Sequence, residues 1–312
     1  ALAHIGAKLP NDMKIEKVNI RNIESLGMLC SEVELGLATQ SPGIMILNPD
    51  APIGQGLAAY LGRDDLIFDV NISPNRGDIL SHIGFAREVA SLTGQKVKLP
   101  EVHFKEEKEL TSSRIKITLH NTKEHPNLCM QYHGRYFENI TIAPSPDWLQ
   151  KRLLAVGFRP INNIVDITNY VLMEWGTPLH AFDYSNIQGA EIQVRPAQKG
   201  EKIKLLDETE ISLTENDLVI ADSKHPIALA GVMGAGNSEV SKQTKSILLE
   251  AAQFSASFVR KTSRRHQKLT DASYRFERQI DSQAVELALN RAAELFQKLA
   301  GATVFKNSVS LY

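Results

Sequence analysis

The spacing of apolar and polar positions changes along this chain, and the changes divide it. Residues 1 to about 60 carry short alternating runs such as MKIEKVNI, broken by Gly27, Gly36, Pro42 and Pro49, which predicts small β elements joined by turns. They are too few for a closed barrel. FDVNISPNRGD then predicts a strand and a turn. SHIGFAREVASLTG follows as a helix, with Ser81 as its cap, Ile83, Ala86, Val89 and Ala90 on one face, and Gly94 at its end. QKVKLPEVHFKEEKELTSS, residues 95–113, is polar, charged and without sustained period, and reads as a linker.

From Arg114 onward strand-like runs alternate irregularly with helices, which predicts an α+β fold in which helices pack on a mixed sheet. RIKITLH, MQYHGRYFENITI, AEIQVRPA, EKIKLLD, DLVIADS, PIALAGVMG and SILLEAA are the strands. Ser145 and Pro146 start a helix whose buried stripe is Trp148, Leu149 and Leu153 and whose end is Gly157. In TNYVLMEWGTPLHAFD the helical spacing runs to Trp175, where Gly176 and Pro178 stop it just ahead of His180. Asp281 or Ser282 caps the last helix, and TVFKNSVSLY predicts one final strand leaving the domain.

Composition narrows the partners. A chain of 312 residues suggests two or three domains. With 35 Lys and Arg against 36 Asp and Glu there is no global field for a nucleic acid, so any such contact must be local. Cys30 and Cys129 stand far apart without a CxxC pattern, which argues against a disulfide framework or a zinc ribbon and fits a reducing cytoplasm. No apolar run approaches the roughly eighteen residues of a membrane span. The start, ALAHIGAKLP, lacks both an initiator methionine and a signal-peptide layout, and reads as a chain cut from something longer.

Several residues invite a chemical reading beside a plain one. Glu250 ends the apolar run SILLE, where a carboxylate either faces solvent or meets a specific partner. His180 follows a helix end, where most histidines pack in a core or bond to backbone. None of the nine histidines forms an HxxxH pair or a Cys/His cluster with ligand spacing, so no metal site is expected. Asn169 is a poor helix-interior residue, and suggests a helix-end role, a polar partner or an ordinary surface amide. ALAGVMGAGNSEV carries Gly231, Gly234 and Gly236 but lacks the GK[ST] and GxGxxG spacings of phosphate loops; it reads as a tight turn whose N–H groups are open to a close ligand. Arg260, Lys261, Arg264, Arg265, His266 and Lys268 crowd together with no acidic residue between Glu250 and Asp271, either as a solvated helix face or as a local basic patch. No GxSxG elbow or recognisable cysteine nucleophile supports covalent acyl transfer.

Six blocks, in order, resemble one family: GMLCSEVELGL, DVNISPNRGDILSHIGFAREVASLTG, NNIVDITNYVLMEWGTPLHAFD, ALAGVMGAGNSEV, ILLEAAQFS and RRHQKLTDASYRFERQID. They cover nearly the whole chain and are similar to the β subunit of bacterial phenylalanyl-tRNA synthetase. The resemblance implies a partial OB-type tRNA-binding segment over 1–60, a small helical module over 61–100, a linker over 101–113, the B3/B4 editing domain over 114–304 and an exit strand over 305–312. It implies hydrolysis of tyrosine wrongly attached to the phenylalanine tRNA, with aminoacylation lying outside these residues. By motif match Glu250 recognises the phenolic oxygen, and His180, Thr168 and Asn169 line the site near the ester, with His180 either a base or a positioning group. Gly231 and Gly234 match pocket glycines, and Thr270 and Ala272 shape the entrance. Ala235 to Asn237 depart from the usual family pattern, which leaves the outer rim of that loop undefined. Arg264 and Arg265 are the expected tRNA contacts.

The implied partners are phenylalanine tRNA and the synthetase α subunit, in a cytoplasmic tetramer of two α and two β subunits, without membrane or DNA. No cofactor is expected in this chain; ATP and Mg2+ belong to the holoenzyme. A second site suits the problem, because an apolar pocket rejects an added hydroxyl by only about a hundredfold, whereas a site built to pair the hydroxyl discriminates by roughly four to five orders of magnitude. The rival reading is a non-catalytic tRNA-binding and structural region.

Overall fold

The computed structural model describes all 312 residues, in two compact units, Ala1–Leu66 and Ile67–Tyr312. In the first unit β1 (Leu2–His4), β2 (Val18–Ile20), β3 (Ile23–Ser25) and β4 (Gly27–Leu29) form two antiparallel pairs, β1 with β4 and β2 with β3. A small core of Leu9, Ile15 and Cys30 lies beneath them, and a short helix α1 (Leu57–Leu61) follows. The short alternating runs thus become the turn-rich β elements that their pattern predicts.

The second unit opens with α2 (His82–Thr93), whose N-terminus is capped by the Ser81 hydroxyl accepting from the Gly84 N–H. No strand forms over 67–76, although FDVNISPNRGD predicts one: its apolar side chains Phe68 and Val70 stay exposed and find no neighbouring strand. The expected linker is also corrected, because β5 (Glu106–Leu110) lies within it and pairs in parallel with a strand near the C-terminus. An edge strand of EEKEL carries no apolar alternation, so pattern alone does not reveal it.

Next come β6 (Lys116–Leu119), β7 (Cys129–Glu138), α3 (Asp147–Ala155) and α4 (Asn163–Trp175). The α4 helix begins where the Asn162 side chain accepts from the Ile164 and Val165 N–H groups and ends at Gly176 with φ 80°. Its Ile164, Ile167, Val171 and Trp175 make the buried stripe. After it run β8 (Leu179–Asp183), β9 (Glu191–Pro196), the hairpin of β10 (Lys202–Lys204) and β11 (Glu210–Ser212), then β12 (Leu218–Ala221), β13 (Pro226–Leu229) and β14 (Met233–Gly234). The chain finishes with β15 (Ile247–Phe254), α5 (Ala256–Arg265), α6 (Asp271–Phe276), α7 (Ala284–Ala300), β16 (Thr303–Lys306) and β17 (Val309–Leu311).

These strands make two mixed sheets, in the orders β14-β13-β12-β9-β6 and β5-β16-β7-β15-β8, with β17 also on β7. The expected exit strand therefore does not leave: Phe305 is buried, and Val309, Ser310 and Leu311 pair with Gly134, His133 and Tyr132. One face of the larger sheet carries α7, where Phe137 meets Phe296 edge-to-face at 5.4 Å. The opposite face meets the other sheet. At Gly134 the approach is so close that a Cβ would lie 2.5 Å from Ile117 Cδ1, which explains a glycine in the interior of a long strand.

Candidate functional site

Between the two sheets of the second unit lies a cavity built on one row of residues. The β8, β15 and β7 registers set His180, Glu250 and Gly134 directly opposite one another, and residues so paired share a face of the sheet. From the facing sheet β14 presents Gly234, where a Cβ would stand 2.4 Å from His180 Cε1 and 2.7 Å from Nε2. The absent side chain at Gly234 is thus the space the imidazole occupies. The cavity measures about 70 Å3, and its lining includes Pro178, His180, Gly231, Gly234, Glu250 and Ala272. Ile220, Leu229 and Phe276 supply apolar wall.

Two ionisable groups sit there without partners. Glu250 is 6 % exposed and its Oε2 accepts no hydrogen bond. Burial pushes its pKa up to about 8; the Tyr132 phenol beside it favours the charged form, without closing a hydrogen bond of ordinary geometry. Tyr132 is itself fully buried, and burial, then the Glu250 charge, lifts its phenol well above the usual value. His180 is half-buried as a residue, yet its Nε2 is sealed from solvent and unpartnered. Burial lowers the imidazole pKa to about 4, and the Phe182 ring stands edge-on to it at 4.5 Å. At about neutral pH both groups are therefore mostly uncharged. What remains is an acceptor or donor on each, turned into the cavity.

The loop above the cavity is held by specific contacts. Gly231 has φ +69°, and a Cβ there would meet Val259 Cγ2 at 2.8 Å. Thr270 caps α6 by accepting from the Ser273 N–H while its hydroxyl donates to the Val232 carbonyl at 2.8 Å. It fixes the loop from behind and does not line the cavity. Of the expected residues, His180, Glu250, Gly231, Gly234 and Ala272 are brought together. Thr168 and Asn169 are not in the lining: Thr168 is 8 % exposed with its hydroxyl donating to Val165 O at 2.7 Å, and Asn169 sits half-buried in the middle of α4.

The basic segment splits in two. Arg265 donates to the fully buried Asp217, which also accepts from Thr262 Oγ1 at 3.1 Å and from the Thr214 N–H at 2.9 Å and faces His266 Nε2 at 3.1 Å. Burial alone would raise the Asp217 pKa, but the Thr214 and His266 bonds hold it below the ordinary carboxylate value. Lys268 pairs with Asp207. Arg260, Lys261 and Arg264 are exposed on α5 and make no ion pair. Both members of the arginine doublet are exposed, but Arg265 is tied to a buried carboxylate and Arg264 is not.

Tyr132 carries no signal of its own in the sequence, although Gly134 two positions on marks the close approach beside it. Phe276 was likewise hidden, because it reads as an ordinary helix residue until α6 is docked. No three His, Cys, Asp or Glu side chains converge as a metal site, and no helix is long and apolar enough to cross a membrane.

The B3/4 domain family model matches residues 128–301, which contain this cavity. The chain is 48% identical over 312 residues to the phenylalanine–tRNA ligase β subunit of Geobacter metallireducens, covering 100% of this chain and 38% of that protein. It is 48% identical over 303 residues to the same subunit of Anaeromyxobacter dehalogenans, covering 97% of this chain and 37% of that protein. It therefore spans under two fifths of the length of these relatives. A crystal structure of an N-terminal fragment of the phenylalanyl-tRNA synthetase β subunit of Pyrococcus horikoshii aligns at TM-score 0.41 and 14% identity, over 77% of this chain and 65% of that one, too loosely to map residues across. The chain belongs to the B3/4 domain family.

Proposed function

We infer that the cavity between the two sheets hydrolyses tyrosine esterified to phenylalanine tRNA, as the editing site of a phenylalanine–tRNA ligase β subunit. The observation that carries this reading is the pair Glu250 and His180, opposite each other in register and each with an unpartnered buried atom, on one cavity. A phenol entering there meets a carboxyl group with a free oxygen, whereas a bare phenyl ring leaves that oxygen desolvated. With its pKa near 8, Glu250 serves largely as a neutral acid that accepts through its carbonyl oxygen or donates its own proton. Recognition then rests on hydrogen bonding, and an unpaired charge contributes little at neutral pH.

His180, with its pKa lowered to about 4, is a feeble base. Its role in this reading is to orient water or the ester. Water adds to the ester carbonyl carbon, the bond to the ribose oxygen breaks, and that oxygen takes up the proton, releasing tyrosine and the tRNA hydroxyl. Backbone N–H groups of the Gly231–Gly234 loop are the donors available to the developing oxyanion. At about 70 Å3 the cavity is far smaller than the roughly 300–1,000 Å3 of ordinary ligand pockets, so entry requires the loop held by Thr270 to yield. The exposed Arg260, Lys261 and Arg264 guide the acceptor end. The α subunit, the cytoplasm, and the ATP and Mg2+ of the synthetic reaction belong to the whole enzyme in this reading.

Single-turnover deacylation of Tyr-tRNA and Phe-tRNA tests it. Glu250→Ala is expected to lose up to about tenfold on Tyr-tRNA, the value of a hydrogen bond to an uncharged group, and to collapse the preference over Phe-tRNA. His180→Ala is expected to slow hydrolysis without improving Phe-tRNA. A parent chain that binds tRNA and leaves Tyr-tRNA intact, or a Glu250→Ala chain that keeps the parent's preference, overturns the reading in favour of a binding and structural role.

A further inference from the structure

The larger sheet has a second cavity on its other face. Successive residues of a strand point to opposite faces, so Arg135 projects away from the row that holds Gly134 and Glu250. It enters a cleft of about 600 Å3, within the roughly 300–1,000 Å3 range of small-molecule sites. The cleft is bounded by Phe104 and Glu106 from the N-terminal edge, Trp175 from the end of α4, and Leu287 and Asn290 from α7. All of these belong to one compact unit.

Three of its polar residues keep buried atoms without a hydrogen-bond partner. Arg135 is 4 % exposed, and neither its Nε nor its Nη1 donates a hydrogen bond. The nearest carboxylate, Glu106 Oε1, stays 3.5 Å from Nη1, and the Phe104 ring lies 5.1 Å from the guanidinium carbon. The indole N–H of Trp175 and the amide oxygen of Asn290 are also buried without partners. Apart from this long ion pair the buried guanidinium keeps free donors, which are costly to leave unbonded, since a charge-assisted bond is about twice as strong as a neutral one. One guanidinium, one indole N–H and one amide oxygen around one cleft, with apolar walls at Val102, Phe104 and Leu287, describe a shape of ligand.

We propose that this cleft binds a small molecule with a carboxylate, an adjacent hydrogen-bond donor and an apolar or aromatic body, of which a free apolar α-amino acid is the simplest member. The carboxylate meets Arg135 and the Trp175 N–H, the donor meets Asn290 and Glu106, and the body lies on Phe104 and Leu287. This site is separate from the Glu250 cavity and does not depend on the function assigned there.

Titration calorimetry of the 312-residue chain tests the assignment, with L-phenylalanine, 3-phenylpropionate and phenethylamine as probes. The amino acid is expected to bind, 3-phenylpropionate more weakly for want of the ammonium group, and phenethylamine least for want of the carboxylate. Arg135→Gln is expected to weaken the amino acid at least about tenfold, the worth of one charge-assisted bond. Trp175→Phe keeps the aromatic bulk and removes only the N–H, so a weakening of a few-fold there speaks to the site even where the arginine variant fails to fold. Glu250→Ala is expected to change nothing. Absence of saturable binding at about 10 mM, binding unaffected by Trp175→Phe, or binding lost in Glu250→Ala overturns the proposal.

Discussion

Replacing Glu250 by glutamine separates its charge from its shape. The side chain is 6 % exposed, between His180 and Gly134, and its pKa stands at about 8 against an ordinary 4.5. Between those two values the folded chain holds a proton that the unfolded chain has released, so stability falls as pH rises through the window. At about 1.4 kcal/mol per pKa unit the full cost of ionising the buried carboxyl approaches about 5 kcal/mol above pH 8. His180 works the other way: its pKa drops from 6.5 to about 4, so the folded chain holds less proton than the unfolded one in that window and stability rises with pH there. The two slopes nearly cancel from about pH 4.5 to 6.5, and above that Glu250 acts alone, lowering stability by about 2 kcal/mol on reaching pH 8. Urea unfolding of the 312-residue chain across this range, followed by the fluorescence of Trp148 and Trp175, reads both slopes. Glu250→Gln is expected to abolish the fall above about pH 6.5 and to leave the His180 rise below it. If parent and variant run parallel above that pH, the carboxyl is not the buried neutral group described.

Gly234→Ala puts a methyl where the His180 ring now lies, 2.4 Å from Cε1, and the displaced imidazole is expected to slow Tyr-tRNA deacylation by about a hundredfold, measured in single turnover. Asp217→Ala leaves Arg265, His266 and Thr262 without their shared acceptor and is expected to cost about 3 kcal/mol in urea unfolding. Arg264→Ala is expected to reduce the slope of log affinity for tRNA against log salt by about 0.7 to 0.9, and Arg265→Ala to leave the slope and lower stability; equal slopes for parent and Arg264→Ala count against the exposed face of α5.

Much of the second unit could be read from residue order because its elements carry strong local signals. The α4 helix has an Asn cap, a four-residue apolar stripe and a glycine stop, and it appears between those marks. Glu250 was conspicuous because a carboxylate interrupts an apolar strand. The failures share a different cause. EEKEL becomes a strand only because β16 lies beside it, and TVFKNSVSLY bends back because β7 has a free edge to fill. Arg265 and Arg264 are indistinguishable in sequence, and only the packing of Asp217, distant along the chain, against α5 ties one of them down. Thr168 and Asn169 sit on the helix beside the sheet, where the motif places them in order along the chain but cannot give the direction of their side chains.

The return of the last two strands to β7 has a consequence for how the chain is made. β7 ends at Glu138, and its outer neighbours do not begin until Thr303 and Val309, so a ribosome working at about 5–20 residues per second leaves that edge bare for roughly ten to thirty seconds. During that interval the strand that carries Tyr132 and Arg135 is an open template for another nascent chain. Messages truncated between Phe276 and Thr303 are therefore expected to yield aggregate-prone products even though every residue lining the Glu250 cavity has been translated.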